Sequence, residues 1–145
     1  CTPSQIQRYR SRLSGPLLDR IDLQIEVPAV PYKELKQRSG SVDSATMRSR
    51  IEAALTIQRH RYAQAPCRTN SDLSGKWLQA YCALSEAEHR FLEQAVHKLG
   101  LSARAYTRVL RIARTIADLE GAEGLAVPHL AEALNYRFLD REDRL

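Results

Sequence analysis

Two arginines stand where a guanidinium does little for a fold but is well placed to meet an anion. Arg104 follows Ser102-Ala103. With Ser102 as the N-cap of a helix, Arg104 is the second helical residue, beside backbone N–H groups that have no intrahelical acceptor. A cation at that end opposes the helix dipole and costs about 0.3–1 kcal/mol, whereas a phosphate or carboxylate is favoured there. The competing reading has the side chain curl away to a nearby carboxylate. Arg20 lies in Leu17-Leu18-Asp19-Arg20-Ile21-Asp22. There a tight turn feeds an alternating segment, so the side chain can project from a sheet edge toward a neighbour. Its competing reading is a local ion pair with Asp19 or Asp22. For both residues the chemistry on offer is that of a permanently charged, fork-shaped donor, suited to a bidentate grip on phosphate or carboxylate.

The remaining reactive side chains form no recognisable site. There is no Gly-x4-Gly-Lys-Ser/Thr loop to cradle nucleotide phosphates, and no Ser/His/Asp or Cys/His set at motif spacing. Cys1, Cys67 and Cys82 lack metal or disulfide-framework spacing, and His60, His89, His97 and His129 form no close pair, so no metal site is expected. Eighteen of the 22 basic residues are arginine, with a net charge of +5. Residues 1–68 hold 12 Lys+Arg against 6 Asp+Glu, and residues 69–145 hold 10 against 11. That asymmetry fits weak phosphate contacts, although Arg-rich composition also follows from GC-rich genomes. No apolar run is long enough for a bilayer and no signal peptide opens the chain, so no membrane partner and a reduced, cytoplasmic setting are expected.

The elements that must position these residues are mostly helical. Thr2-Pro3 reads as an N-cap followed by proline at the first helical position, with Ile6, Tyr9 and Leu13 at helical spacing and Gly15-Pro16 as the stop. Residues 21–27 alternate strictly, with Ile21, Leu23, Ile25 and Val27 apolar, and predict a strand. It would be an orphan, because nothing else in the chain offers a ladder. Residues 28–43, with Pro28, Pro31 and Gly40, read as a linker. A helix from about 45 to 65 follows, with Met47, Ile51, Leu55 and Tyr62 along one face. A shorter one comes near 76–83, anchored by Trp77, Leu78 and Tyr81. Ser85 and Glu88 form a capping box for a helix that ends at Gly100. The helix from Ser102 to Gly121 has the widest apolar arc and should be central. Pro128 opens a last helix containing Leu130, Leu134 and Phe138.

Two stretches carry a family resemblance. The first is Cys1-Thr2-Pro3-Ser4-Gln5-Ile6-Gln7-Arg8-Tyr9 with Ser14-Gly15-Pro16-Leu17-Leu18-Asp19-Arg20-Ile21-Asp22-Leu23. It resembles the end of the AAA+ core in magnesium-chelatase-like ATPases, most of all the ComM/YifB-type branch. The second is Leu101-Ser102-Ala103-Arg104-Ala105-Tyr106, then Arg108-Val109-Leu110-Arg111 and Ala113-Arg114-Thr115-Ile116-Ala117-Asp118-Leu119, with Glu132-Ala133-Leu134-Asn135-Tyr136-Arg137. It resembles the C-terminal domain of the same branch. The resemblance implies that Arg20 is an arginine finger reaching the ATP site of an adjacent subunit. It implies that Arg104 is a sensor 2 residue contacting the γ-phosphate from within its own subunit, and so a nucleotide-binding as well as a catalytic residue. Arg111 and Arg114 read as solvated or structural.

The expected fold is therefore mainly α, a helical bundle of AAA+ lid type preceded by a helix and one orphan β-strand. The expected organisation is 1–27 as the remnant of an AAA+ core, 28–43 as linker and 44–145 as the helical domain. A start at Cys1 reads as a cut inside a longer protein. ATP and magnesium would be cofactors of the full-length protein, with none expected in this chain. The expected partners are further copies in a ring and DNA, since the branch implies helicase or branch-migration work. Two other readings stay open: a magnesium chelatase motor acting on a tetrapyrrole, and a stand-alone helical DNA-binding module.

Overall fold

A computed structural model of the chain describes residues 2–12, 14, 17, 20–29 and 42–137. Its helices are α1 (Pro3–Arg10), α2 (Ser44–Arg61), α3 (Gly75–Tyr81), α4 (Glu86–Leu99), α5 (Ala103–Glu120) and α6 (Val127–Asn135), with a 3₁₀ turn at Asn70–Asp72. The fold is mainly α, as the periodicity predicts. Leu13, Gly15, Pro16, Asp19, the stretch 30–41 and Phe138 lie outside the described residues.

Local signals set the helix ends. The Thr2 N–H donates to Gln5 Oε1 at 2.9 Å, closing a capping box at the start of α1. The Ser85 N–H donates to Glu88 Oε2 at 2.8 Å, and the Ser85 hydroxyl and N–H hold Glu88 below the usual carboxylate range. Gly100 and Gly121 end α4 and α5 in the left-handed region, at φ 53° and 72°, where a Cβ would be strained. α6 starts differently: the Ala126 N–H donates to His129 Nδ1 at 3.0 Å, and His129 Nε2 lies 3.0 Å from Glu120 Oε2. With Nδ1 as acceptor, the proton of the neutral ring sits on Nε2, facing Glu120.

α5 is the centre of the bundle. Ala105, Val109, Leu110, Ala113, Ile116 and Ala117 are buried along it, and it packs most extensively on α6, then on α2. Leu130, Ala133 and Leu134 of α6, Leu92 of α4, Leu78 and Cys82 around α3, and Leu73 and Tyr62 complete the core. Burial pushes the Cys82 thiol up to about 11, and its Sγ donates to Leu110 O at 3.8 Å. Cys82 should therefore resist alkylation by iodoacetamide in the folded chain. The shift from 9.0 alone lowers the thiolate population about a hundredfold, and burial blocks the approach. Peptide mapping of native and urea-unfolded protein checks this; equal labelling of Cys82 in both would refute it.

Two expectations change. Of the face expected to line α2, Tyr62 is buried and Leu55 half-buried, while Met47 and Ile51 remain 50% and 53% exposed; the helix instead buries Ala54 and Gln58. The helix also stops at Arg61, before Ala65, because Tyr62 turns inward to stack edge-on against Tyr81 and to donate to Asn70 Oδ1 at 2.6 Å. Residues 21–27 form no strand. A single segment without a ladder partner cannot build one, and exposure of its apolar residues climbs to 82% at Val27. Its first part is nonetheless anchored. The Gln24 N–H donates to Tyr136 O at 2.8 Å, using a carbonyl left open at the end of α6.

Candidate functional site

α5 delivers Arg104 as its spacing predicts. Ser102 is the N-cap, at φ −69° and ψ 159°, and its Oγ accepts the Ala105 N–H at 3.1 Å. Arg104 is the second helical residue and is exposed, and the first turn of α5 contains no acid. Among the described residues its guanidinium holds no ion pair.

Arg20 is exposed as well. The Leu17 N–H donates to Ser14 O and the Arg20 N–H to Leu17 O, both at 2.9 Å, so the chain turns tightly into the Arg20 position. The local pair with Asp22 does not form. Asp22 Oδ1 is taken by Arg108 Nη1, and the same nitrogen donates to Arg20 O at 3.0 Å. Arg137, whose side chain is fully buried, donates through Nη1 to Ile21 O at 3.2 Å. The structure thus fastens the Arg20 turn to α5, one helical turn beyond Arg104, and to the end of α6. Sequence reasoning missed Arg108 and Arg137 in these roles. The available signal was the i, i+4 spacing of Arg104 and Arg108, which places both on one helix face.

Arg111 and Arg114 are structural. Arg111 donates to Leu73 O through Nε and Nη2, at 2.8 and 2.5 Å. Arg114 donates to Glu123 O at 2.8 Å and Ala122 O at 2.7 Å, closing the turn after α5. Arg114 also pairs with Asp118, at 3.1 Å, and Asp118 receives Arg61 through two bonds of 2.9 and 2.5 Å. Asn70 Nδ2 adds a further bond to Asp118 at 2.9 Å and one to Thr115 Oγ1 at 3.0 Å. The Asp118 hydrogen bonds raise the Arg61 pKa above its usual value, against the opposing pull of burial. This polar cluster locks α2, the 3₁₀ turn and α5 together.

No group of three His, Cys, Asp or Glu residues placed to hold a metal occurs among the described residues, and none of their helices is long and apolar enough to cross a membrane. A cleft of about 330 Å³ runs beside the anchored segment, between Leu23 and the Ile112–Ile116 face of α5, with Arg108 and Asp22 on its wall.

The central helix of the bundle thus opens on Arg104, exposed and without an ion pair among the described residues, and the turn fastened to that helix holds Arg20, which is exposed as well. Comparison with known proteins gives the family. Residues 41–137 match the model described as magnesium chelatase, subunit ChlI C-terminal, and residues 1–35 match that of magnesium chelatase, subunit ChlI. The chain belongs to the magnesium-chelatase-like family, in its ComM/YifB-type branch. It is 45% identical over 141 residues to the competence protein ComM of Haemophilus influenzae, covering 97% of this chain and 27% of that protein. It is 44% identical to YifB of Salmonella typhimurium and 40% identical to YifB of Escherichia coli, each over 142 residues, 97% of this chain and 27% of the relative. The chain thus spans about a quarter of the length of the relatives it matches.

Proposed function

We propose that this chain is the C-terminal part of a ring-forming AAA+ ATPase of the ComM type, a motor that acts on DNA. In this reading Arg20 enters the ATP site of a neighbouring subunit as its arginine finger, and Arg104 senses the γ-phosphate. The observation that carries it is Arg104 itself. It is an exposed cation at the positive end of a Ser-capped helix, with no acid in the first turn and no ion pair among the described residues. Its unfavourable position is offset when an anion arrives. Charge developing on a transferred phosphoryl group is such an anion. Nucleotide and magnesium would be held by residues outside this chain, since the sequence contains no phosphate-binding loop. The name of the Haemophilus influenzae relative, a competence protein, favours the DNA motor. The family description favours a second reading, a chelatase motor working on a tetrapyrrole.

The test is ATP turnover by the full-length protein with branched DNA or with a metal-free tetrapyrrole and magnesium. Turnover stimulated by branched DNA, with strand exchange and no metal insertion, is the expected result. Arg104→Ala should lower that turnover about 10²-fold, the usual cost of removing one aligned donor from developing charge, with no change in melting temperature. Wild-type turnover combined with a large fall in melting temperature would make Arg104 structural and end the sensor assignment.

A further inference from the structure

We infer that Arg108 is a positioning residue for Arg20: its guanidinium fastens the Arg20 turn to α5, so that Arg20 and Arg104 ride on one rigid unit. The inference rests on the reading of Arg20 as a residue that reaches phosphate in an adjacent subunit.

The case begins with which part of Arg20 is held. Its carbonyl accepts Arg108 Nη1 at 3.0 Å, while its guanidinium is exposed and makes no ion pair among the described residues. The base of the side chain is fixed and its head is kept for something outside. Asp22, two residues on, takes the same Arg108 nitrogen through Oδ1. Arg108 therefore draws two oxygens of one turn to one point. Its own side chain is 20% exposed and that of Asp22 62% exposed, so the attachment lies at the surface, where a single ion pair holds little and several bonds must act together. Arg137 at Ile21 O and Tyr136 O at the Gln24 N–H extend the attachment over the next residues. No sheet ladder among the described residues does this work, and these bonds stand in for one.

Placement matters because an arginine that stabilises a transition state acts through distance and angle, and a misplacement of about 1 Å can cost on the order of 10²-fold in rate. Arg108 follows Arg104 by one helical turn on the same face of α5. Any movement of α5 that alters Arg104 is transmitted by Arg108 to the Arg20 turn. Arg108 touches no nucleotide in this scheme and acts only through Arg20.

The experiment uses the full-length protein carrying Arg108→Ala or Arg108→Lys, beside Arg20→Ala. Arg108→Ala should lower kcat for ATP by on the order of 10²-fold with KM unchanged. Arg108→Lys should recover part of the loss, because an ammonium still donates to both oxygens, without the planar fork. In mixed rings the defect should follow the donor, as is expected of Arg20→Ala: the neighbour's site should fail, while the mutant's own site should work beside a wild-type subunit. A purely structural residue would not produce that one-sided pattern. Hydrogen exchange should show the Gln24 amide losing protection in Arg108→Ala while the buried amides of α5 keep theirs. Wild-type kcat in Arg108→Ala, or a defect confined to the mutant's own site, would overturn the inference while leaving the finger reading intact. Wild-type turnover in Arg20→Ala would overturn the finger reading and the positioning role with it.

Discussion

Arg20→Ala in the full-length protein should lower ATP turnover by about 10³-fold or more, the range an arginine finger supplies, and leave nucleotide affinity nearly unchanged. The separation follows from where the group acts. A finger that meets charge developing on the neighbour's phosphoryl group stabilises the transition state and contributes little to the ground-state complex. Mixing mutant and wild-type subunits should restore part of the activity, because a mutant subunit keeps a working site of its own when the next subunit supplies Arg20. The side chain is exposed and its guanidinium holds no ion pair among the described residues, so its removal should not shift thermal unfolding of the chain. Steady-state turnover, equilibrium nucleotide binding and subunit titration check the three parts. A rise in the nucleotide Kd that accounts for the whole loss of turnover would place Arg20 in ordinary ground-state binding.

The largest effect on stability should come from Asp118→Ala. Asp118 has no side-chain exposure and is paired with Arg61 and Arg114, whose side chains are 16% and 3% exposed. Asn70 gives it a further hydrogen bond. Removing the one carboxylate leaves two guanidinium groups and an amide facing a small cavity. Breaking a buried pair from one side costs about 3–5 kcal/mol, much of it from the charge left behind. Arg61→Ala should cost less, because Arg61 is the more exposed partner and Arg114 still neutralises Asp118. Urea unfolding of the chain measures both, with the midpoint shift read at constant slope. A loss below about 1 kcal/mol for Asp118→Ala would mean that water replaces the carboxylate and that the cluster is not a stability centre.

The contrast between Ser102 and Asp118 shows what the sequence exposes and what it hides. Helix ends are local: Ser102, Ser85-Glu88, Gly100 and Gly121 announce the limits of α4 and α5 within three or four residues, and the structure has them there. The apolar arc of α5 likewise announces the centre of the bundle. Asp118 interrupts that arc, and Arg114 at i−4 is a visible partner, but Arg61 lies 57 residues away and Asn70 lies 48 away. Nothing in spacing links them, because the chain path of the 62–74 loop decides the meeting. The same holds at the candidate site. The types and settings of Arg20 and Arg104 were legible, and the attachment between their elements was not, since Arg108 reaches Arg20 across 88 residues. The alternation at 21–27 is a strand pattern that forms no strand among the described residues, because a strand is a property of a pair and period two describes only one member.

That distance along the chain has a consequence for assembly. Contacts between residues 20–24 and the end of α6 span up to 116 residues. Closing such a loop is entropically unfavourable and occurs late, once the intervening helices have condensed. During synthesis from the N-terminus, Arg20 leaves the ribosome long before Arg108 and Arg137 exist to receive its turn. The arm is made first and its shoulder last. A nascent or C-terminally cleaved subunit would display Arg20 without fixing it, so correct seating of Arg20 reports that the whole bundle behind it has finished folding.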